Sequence, residues 1–110
     1  MRWPSVVLVI LLALAVTVGC AAFKAGREFP SPDPQLVVVG RTDKVALERI
    51  FGEPYEVGID SSDPTWTWFF GQKTTGGDLS KSLTVRFNQD GTVKSYSFSS
   101  NFPEDMKRLK

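Results

Sequence analysis

Cys20 is the single cysteine of a 110-residue chain that has no histidine. Those two counts dispose of most side-chain chemistry. One thiol cannot close an internal disulfide, although an exported compartment would permit one. Metal sites built from Cys and His are excluded, as are Ser-His-Asp and Cys-His catalysis. Serine and threonine hydroxyls are plentiful, but no nearby group serves as their base. Asp60 and Asp63 lack the spacing of a calcium loop and run straight into Pro64, so they read as turn caps. Gly71 and Gly76 fail as a phosphate loop, because no Lys-Ser/Thr follows Gly76 and no helix opens there. The expectation is a non-enzyme with no cofactor and no metal. What remains is Cys20 itself, a thiol open to covalent modification.

The segment that positions this thiol is apolar. Met1-Arg2-Trp3-Pro4-Ser5 is a short basic leader, and Val6 to Val18 is apolar apart from Thr17. A spanning helix needs about 20 apolar residues. This run is shorter and reads as the apolar region of a secretory signal. The stretch Ala15 to Cys20 resembles a bacterial lipobox, departing from it at Thr17, where Leu or Val is usual. The resemblance implies cleavage between Gly19 and Cys20 and lipidation of the Cys20 thiol. It also implies three acyl chains, more than the two signals that stable anchoring needs. Ala21 supplies no acidic retention signal, which favours the cell outer membrane, with the domain facing the periplasm. The alternatives are an uncleaved anchor or a secreted protein with a stray thiol.

The rest divides into a lipidated cysteine with a Pro-rich tether (20–34), an α+β domain (35–100) and a short C-terminal helix or tail (101–110). About 90 residues after the signal allow one domain. A net charge of +1 gives no case for nucleic-acid binding. Pro30, Pro32 and Pro34 alternate with Ser31 and Asp33, so the tether should be extended and semi-rigid, or disordered. Leu36-Val37-Val38-Val39 is a short β-branched run, either an edge strand or a segment packed under a sheet. Thr42 as N-cap, Asp43 in the first turn, and Leu47, Ile50 and Phe51 on one face predict a helix over 43–51. Gly52 and Pro54 end it.

Tyr55 to Asp63 reads as irregular. Thr65 to Phe70 predicts a strand with Trp66, Trp68 and Phe70 on one face and Phe69 on the other. Gly71 to Ser80 reads as a long mobile loop. Lys81 to Asn88 alternates Leu83, Val85 and Phe87 with Ser82, Thr84 and Arg86, which predicts one buried and one wet face. Asn88 to Gly91 is a tight turn. The third strand, Thr92 to Ser99, slips its period, and a bulge near Lys94 would restore it. Pro103, early Glu104 and Asp105, and late Lys107, Arg108 and Lys110 suit a short terminal helix. Its basic end reads first as a solvated helix end that complements the dipole, with contact to anionic lipid headgroups as the alternative.

The run Gly40 to Phe98 resembles the SmpA/OmlA (BamE-like) family of small outer-membrane lipoproteins. The residues that carry this are Val39-Gly40-Arg41-Thr42 before the helix, Phe51-Gly52-Glu53-Pro54 after it, Thr65-Trp66-Thr67-Trp68-Phe69, Ser82 to Asn88, and Asp90-Gly91-Thr92-Val93. The resemblance implies an α+β fold, a three-stranded antiparallel sheet with one or two helices on one face. It also implies a non-catalytic accessory or scaffold that contacts envelope proteins, among them a β-barrel assembly complex. The family usually carries a helix before the Gly-x-Thr segment, and here prolines and valines occupy that place.

Trp66 and Trp68 read as core, because the apolar helix face needs a sheet face to cover it. Phe69 on the wet face, beside Thr67, Thr84 and Arg86, is the partner-contact candidate. Cover by the Gly71–Ser80 loop or the C-terminal segment is the alternative for Phe69. A second function fits the same residues: a periplasmic inhibitor or small-ligand binder of the β-lactamase-inhibitor-like type, using the Gly71–Ser80 loop.

Overall fold

The structure, a computed structural model, describes residues 24–109. The signal segment, its Gly19–Cys20 junction, the lipidation site Cys20 and Lys110 lie outside the described residues. The elements in chain order are β1 (Lys24–Gly26), α1 (Lys44–Phe51), β2 (Glu56–Asp60), β3 (Asp63–Thr74), β4 (Gly77–Phe87), β5 (Val93–Ser100) and α2 (Pro103–Leu109). The α+β class is as expected, but the antiparallel sheet has five strands where three were expected. β3, β4 and β5 form a meander. β1 and β2 lie end to end along the free edge of β3, β1 opposite Phe70–Gln72 and β2 opposite Asp63–Thr67.

The meander follows the sequence pattern. Trp68, Phe70, Leu83, Val85 and Phe87 turn inward and are buried. Leu47 and Phe51 of α1 pack on them, with Ile50 and Trp66 at the margin. The bulge falls between Arg86 and Phe87, where Phe87 pairs with Val93 and Arg86 with Ser95, so Lys94 is the extra residue. In the turn before β5, Gly91 takes a φ of 87°. There the Thr92 hydroxyl and then its amide donate to Asp90, holding that carboxyl below its ordinary range.

The N-cap of α1 is Asp43, not Thr42: its carboxylate accepts from the Ala46 amide at 2.9 Å. Thr42 is occupied elsewhere. Its hydroxyl accepts from the Val38 amide at 2.8 Å and donates to the Leu36 carbonyl at 3.0 Å. It thus stitches a turn, where a strand had been one expectation for Leu36–Val39. Val37 is buried there, while Leu36 and Val39 stay exposed. Gly52 caps the other end at φ 83°, and the Trp68 indole donates to its carbonyl at 3.0 Å, tying α1 to β3.

Three segments depart from expectation. Tyr55–Asp63 is not irregular: β2 and β3 form a hairpin whose two turn residues, Ser61 and Ser62, have φ of 52° and 73°. That left-handed pair is the twist a two-residue hairpin needs. Gly71–Ser80 is not a long loop either, because β3 and β4 stay paired to Thr74 and Gly77, leaving a two-residue turn. Asn101 braces that extension, accepting from the Ser80 amide at 2.7 Å and donating to the Asp78 carbonyl at 2.9 Å. The described part of the stretch expected as a tether, from Lys24 on, is not free, since β1 is paired with β3 and Phe29 is buried in the core.

Gly26 makes the β1 pairing possible. Its φ is 76°, and a Cβ there would overlap the Phe69 carbonyl oxygen. At the other end, Lys81 continues the inward series of β4 and is buried. Its ammonium donates to the Phe29 carbonyl and lies 4.9 Å, 5.5 Å and 6.0 Å from the ring centres of Phe29, Phe102 and Phe70. Asp105 of α2 accepts from the hydroxyls of Ser31 and Ser100. Burial pushes the Asp105 carboxyl up, but those two hydroxyls and the charges of Lys81 and Arg108 together hold it below its ordinary value.

Two outcomes follow. Gly26→Ala should release β1 alone: hydrogen exchange quickens at Lys24–Gly26 and stays unchanged at Leu83 and Val85. For Asp105 the folded carboxyl is more acidic than the unfolded one. Its stabilisation is therefore full above the unfolded value of about 3.9 and is lost as pH falls through the lower folded value. Urea titrations from pH 5 to pH 2 should show a shallower decline in stability for Asp105→Asn than for the wild type.

Candidate functional site

The outward face of β3 and β4 carries the four expected contact residues. Thr67 pairs directly with Thr84, Phe69 with Ser82 and Thr65 with Arg86. Period-2 alternation brings them to one side of the sheet. The Thr67 and Thr84 hydroxyls are 3.3 Å apart, a cross-strand pair that spans the middle of this face.

Phe69 is half-buried, where exposure and cover by another segment were the two expectations. The Gly71 end of the Gly71–Ser80 segment is one neighbour of its ring, and Tyr55, which neither expectation named, is another. The Phe69 ring lies over Gly71, where a Cβ would come within 3.1 Å of it, and packs 5.6 Å from the Tyr55 ring at a 50° tilt. Tyr55 reaches this side because its amide bonds the Thr67 carbonyl at 2.8 Å, just outside the β2 register. Phe69 thereby becomes a ridge between two open clefts. One, of about 370 Å³, is lined by Gly26, Arg27, Glu53, Pro54, Tyr55 and Trp68 as well as Phe69. The other, of about 290 Å³, lies over Gly71, Gln72 and Leu79. The first cleft occupies the gap between β1 and β2.

Arg86 is engaged within the molecule. Its guanidinium pairs with Asp60 and lies 3.7 Å from the Asp63 carboxylate, which also receives Lys94 at 2.9 Å. These ion pairs bind the β2–β3 turn to β4 and β5. They also give Asp60 and Asp63 work beyond turn capping. A shallow cleft of about 230 Å³ runs beside them, past Thr84, Arg86 and Tyr96.

Among the described residues, no group of three acidic or cysteine side chains comes together to hold a metal. Also among the described residues, no helix is long and apolar enough to cross a membrane. The face offers aromatic, hydroxyl and charged groups for contact.

The edge of β2 was missed from sequence. All five of its residues are exposed, including Val57 and Ile59. The signal was present as the alternation of Tyr55, Val57 and Ile59 with Glu56, Gly58 and Asp60. Gly58 and the polar run after Asp60 obscured it. Lys81 was likewise visible as the fourth member of the inward series that continues with Leu83, Val85 and Phe87.

No protein-family model matches the chain, and no curated protein matches it either.

The ion pairs of Arg86 are partly exposed, with its side chain 31% accessible and that of Asp60 66%. Solvent screens such pairs, so Arg86→Ala should cost at most about 1 kcal/mol in urea unfolding. That cost should shrink further in high salt.

Proposed function

We propose that this chain is a lipid-anchored accessory protein of the bacterial cell envelope, held at the outer membrane through Cys20 with its folded body facing the periplasm. It works by contact with envelope proteins, in β-barrel assembly or in envelope integrity, and not by turnover. The observation that carries this reading is the distance between anchor and fold. β1 begins at Lys24, and it is already paired with β3. Four residue steps from Cys20 span at most about 14 Å. A body tied that close to an acylated residue stays at the bilayer surface. There its local concentration near membrane partners is high, and weak contacts suffice.

The SmpA/OmlA reading is part of the same proposal. Its support is the order α1, then the β3-β4-β5 meander, with the quoted motifs at the helix ends and in the turn before β5. β1 and the Asp33–Val37 turn stand where that family carries its first helix. The inhibitor reading draws less support, because it placed the contact on a long loop and the β3–β4 connection is a two-residue turn.

Mass spectrometry of the mature protein should find acyl chains on an amino-terminal Cys20. In fractionated cells the wild type should sediment with outer membranes and need detergent for release, while Cys20→Ala should be lost from the outer-membrane fraction and keep its uncleaved amino terminus. Outer-membrane retention of Cys20→Ala would overturn the anchor.

A further inference from the structure

The two outer edges of the sheet are treated differently. The β5 edge is defended where it begins. The 40–43 segment lies against it, with Val93 donating to the Thr42 carbonyl at 2.8 Å and Gly40 donating to the Val93 carbonyl at 2.8 Å. The bulge at Lys94 twists the same edge and places a lysine on it. Bulges, lysines and covering segments are the usual protection of edge strands. β2 carries no lysine, and among the described residues no segment pairs with its outer side. It is five residues long, regular in register and exposed throughout.

The hairpin fixes what this edge offers. In a two-residue hairpin the pair next to the turn is hydrogen-bonded, and pairs alternate from there. Asp60–Asp63, Gly58–Thr65 and Glu56–Thr67 are then the bonded pairs. The amides and carbonyls of Val57 and Ile59 point away from β3, into solvent. Pro64, opposite Ile59, removes no bond from this ladder. The Val57 and Ile59 side chains lie on the side of Trp66 and are 65% and 78% exposed. Glu56 and Asp60 flank them on the opposite side.

We propose that β2 is a docking edge for an extended strand of another protein, with the pattern basic–apolar–any–apolar–basic. Its backbone completes the Val57 and Ile59 hydrogen bonds. Its two apolar residues cover those side chains, and its basic residues face Glu56 and Asp60. Charge selects this occupant over a second copy of the chain. Antiparallel self-pairing centred on Gly58 sets Glu56 against Asp60 at both ends, and like charges directly opposite are destabilising. Among the described residues Glu56 forms no ion pair, so its carboxylate is available to a basic partner. The inference goes beyond the anchoring proposal and holds whether or not Cys20 is acylated.

The test uses full-length protein in neutral detergent and two fluorescent peptides that share an alternating Val/Ile/Thr strand, one flanked by lysines and the other by glutamates. At low salt the lysine-flanked peptide should bind saturably and the glutamate-flanked one much less. Binding should slow hydrogen exchange at the Val57 and Ile59 amides and leave Leu83 unchanged. Val57→Pro deletes one outward donor without touching the β2–β3 ladder and should weaken binding about five- to tenfold. Glu56→Lys, at an exposed site, should shift the preference toward the glutamate-flanked peptide, and it decides the matter if Val57→Pro proves misfolded by circular dichroism. No saturable binding, binding without protection at Val57 and Ile59, or a charge preference unmoved by Glu56→Lys would each overturn the proposal. So would a dimer of the free protein that protects β2.

Discussion

The inner face of the β3–β4 pair is larger than its one long helix can cover, and most of the remaining structure answers that mismatch. β3 has twelve residues and β4 eleven, against eight in α1. At about 3.3 Å per strand residue and 1.5 Å per helical residue, roughly 40 Å of strand faces about 12 Å of helix. α1 shields Trp68 near the middle of β3 and Phe87 at the end of β4. The rest is closed by single side chains from segments without regular structure: Phe29 and Val37 from before the helix, and Phe102 from the turn into α2. Phe29 makes edge-to-face contacts with both Phe51 and Phe98, 6.3 Å and 6.4 Å between ring centres. It joins helix and sheet where neither reaches the other.

Lys81 shows how the uncovered end tolerates a cation. A buried ammonium without partners is strongly unfavourable. Here its donor goes to the Phe29 carbonyl, its charge lies near three aromatic faces, and Asp105 adds a carboxylate nearby. Each partner comes from a different part of the chain. The N-terminal segment supplies Phe29 and Ser31, β3 supplies Phe70, and the C-terminal segment supplies Phe102 and Asp105. Neither the seven-residue α2 nor the Phe29–Ser31 stretch would hold its place alone. One inward lysine organises both.

The elements legible in the sequence are those specified locally. The helix end at Gly52, the inward and outward alternation of β3 and β4, the turn at Gly91, the bulge at Lys94 and Pro103 opening the last helix each depend on a few adjacent residues. What escaped depends on distant partners. Nothing in Lys24-Ala25-Gly26 favours a strand, and β1 exists because Gly26 fits against the Phe69 carbonyl, more than forty positions along the chain. The β2–β3 turn was hidden because Ser61 and Ser62, in place of Asn or Gly, adopt the left-handed conformation, held by the ladder on both sides. Of the candidate site, the side on which Phe69, Thr67, Thr84 and Arg86 emerge was readable from period 2. Their engagement was not, since Tyr55 covers Phe69 through a step outside the strand register, and Asp60 reaches Arg86 only once the hairpin exists.

The free edge of β3 is shared between two strands, and that sharing links the two proposals. β1 takes the portion beside Gly71, near the turn into β4, and is the part of the described fold closest in sequence to Cys20. β2 takes the portion beside Thr65. Six residues of strand separate the two positions, about 20 Å. An anchor acting through β1 would hold one end of this edge toward the bilayer and leave β2 displaced from it along β3. The gap between them, at Trp68 and Phe69, is the cleft lined by Arg27, Glu53 and Tyr55. On the two proposals the anchor would act through β1 and an added strand would pair with the outer side of β2, so the two would draw on different backbone groups.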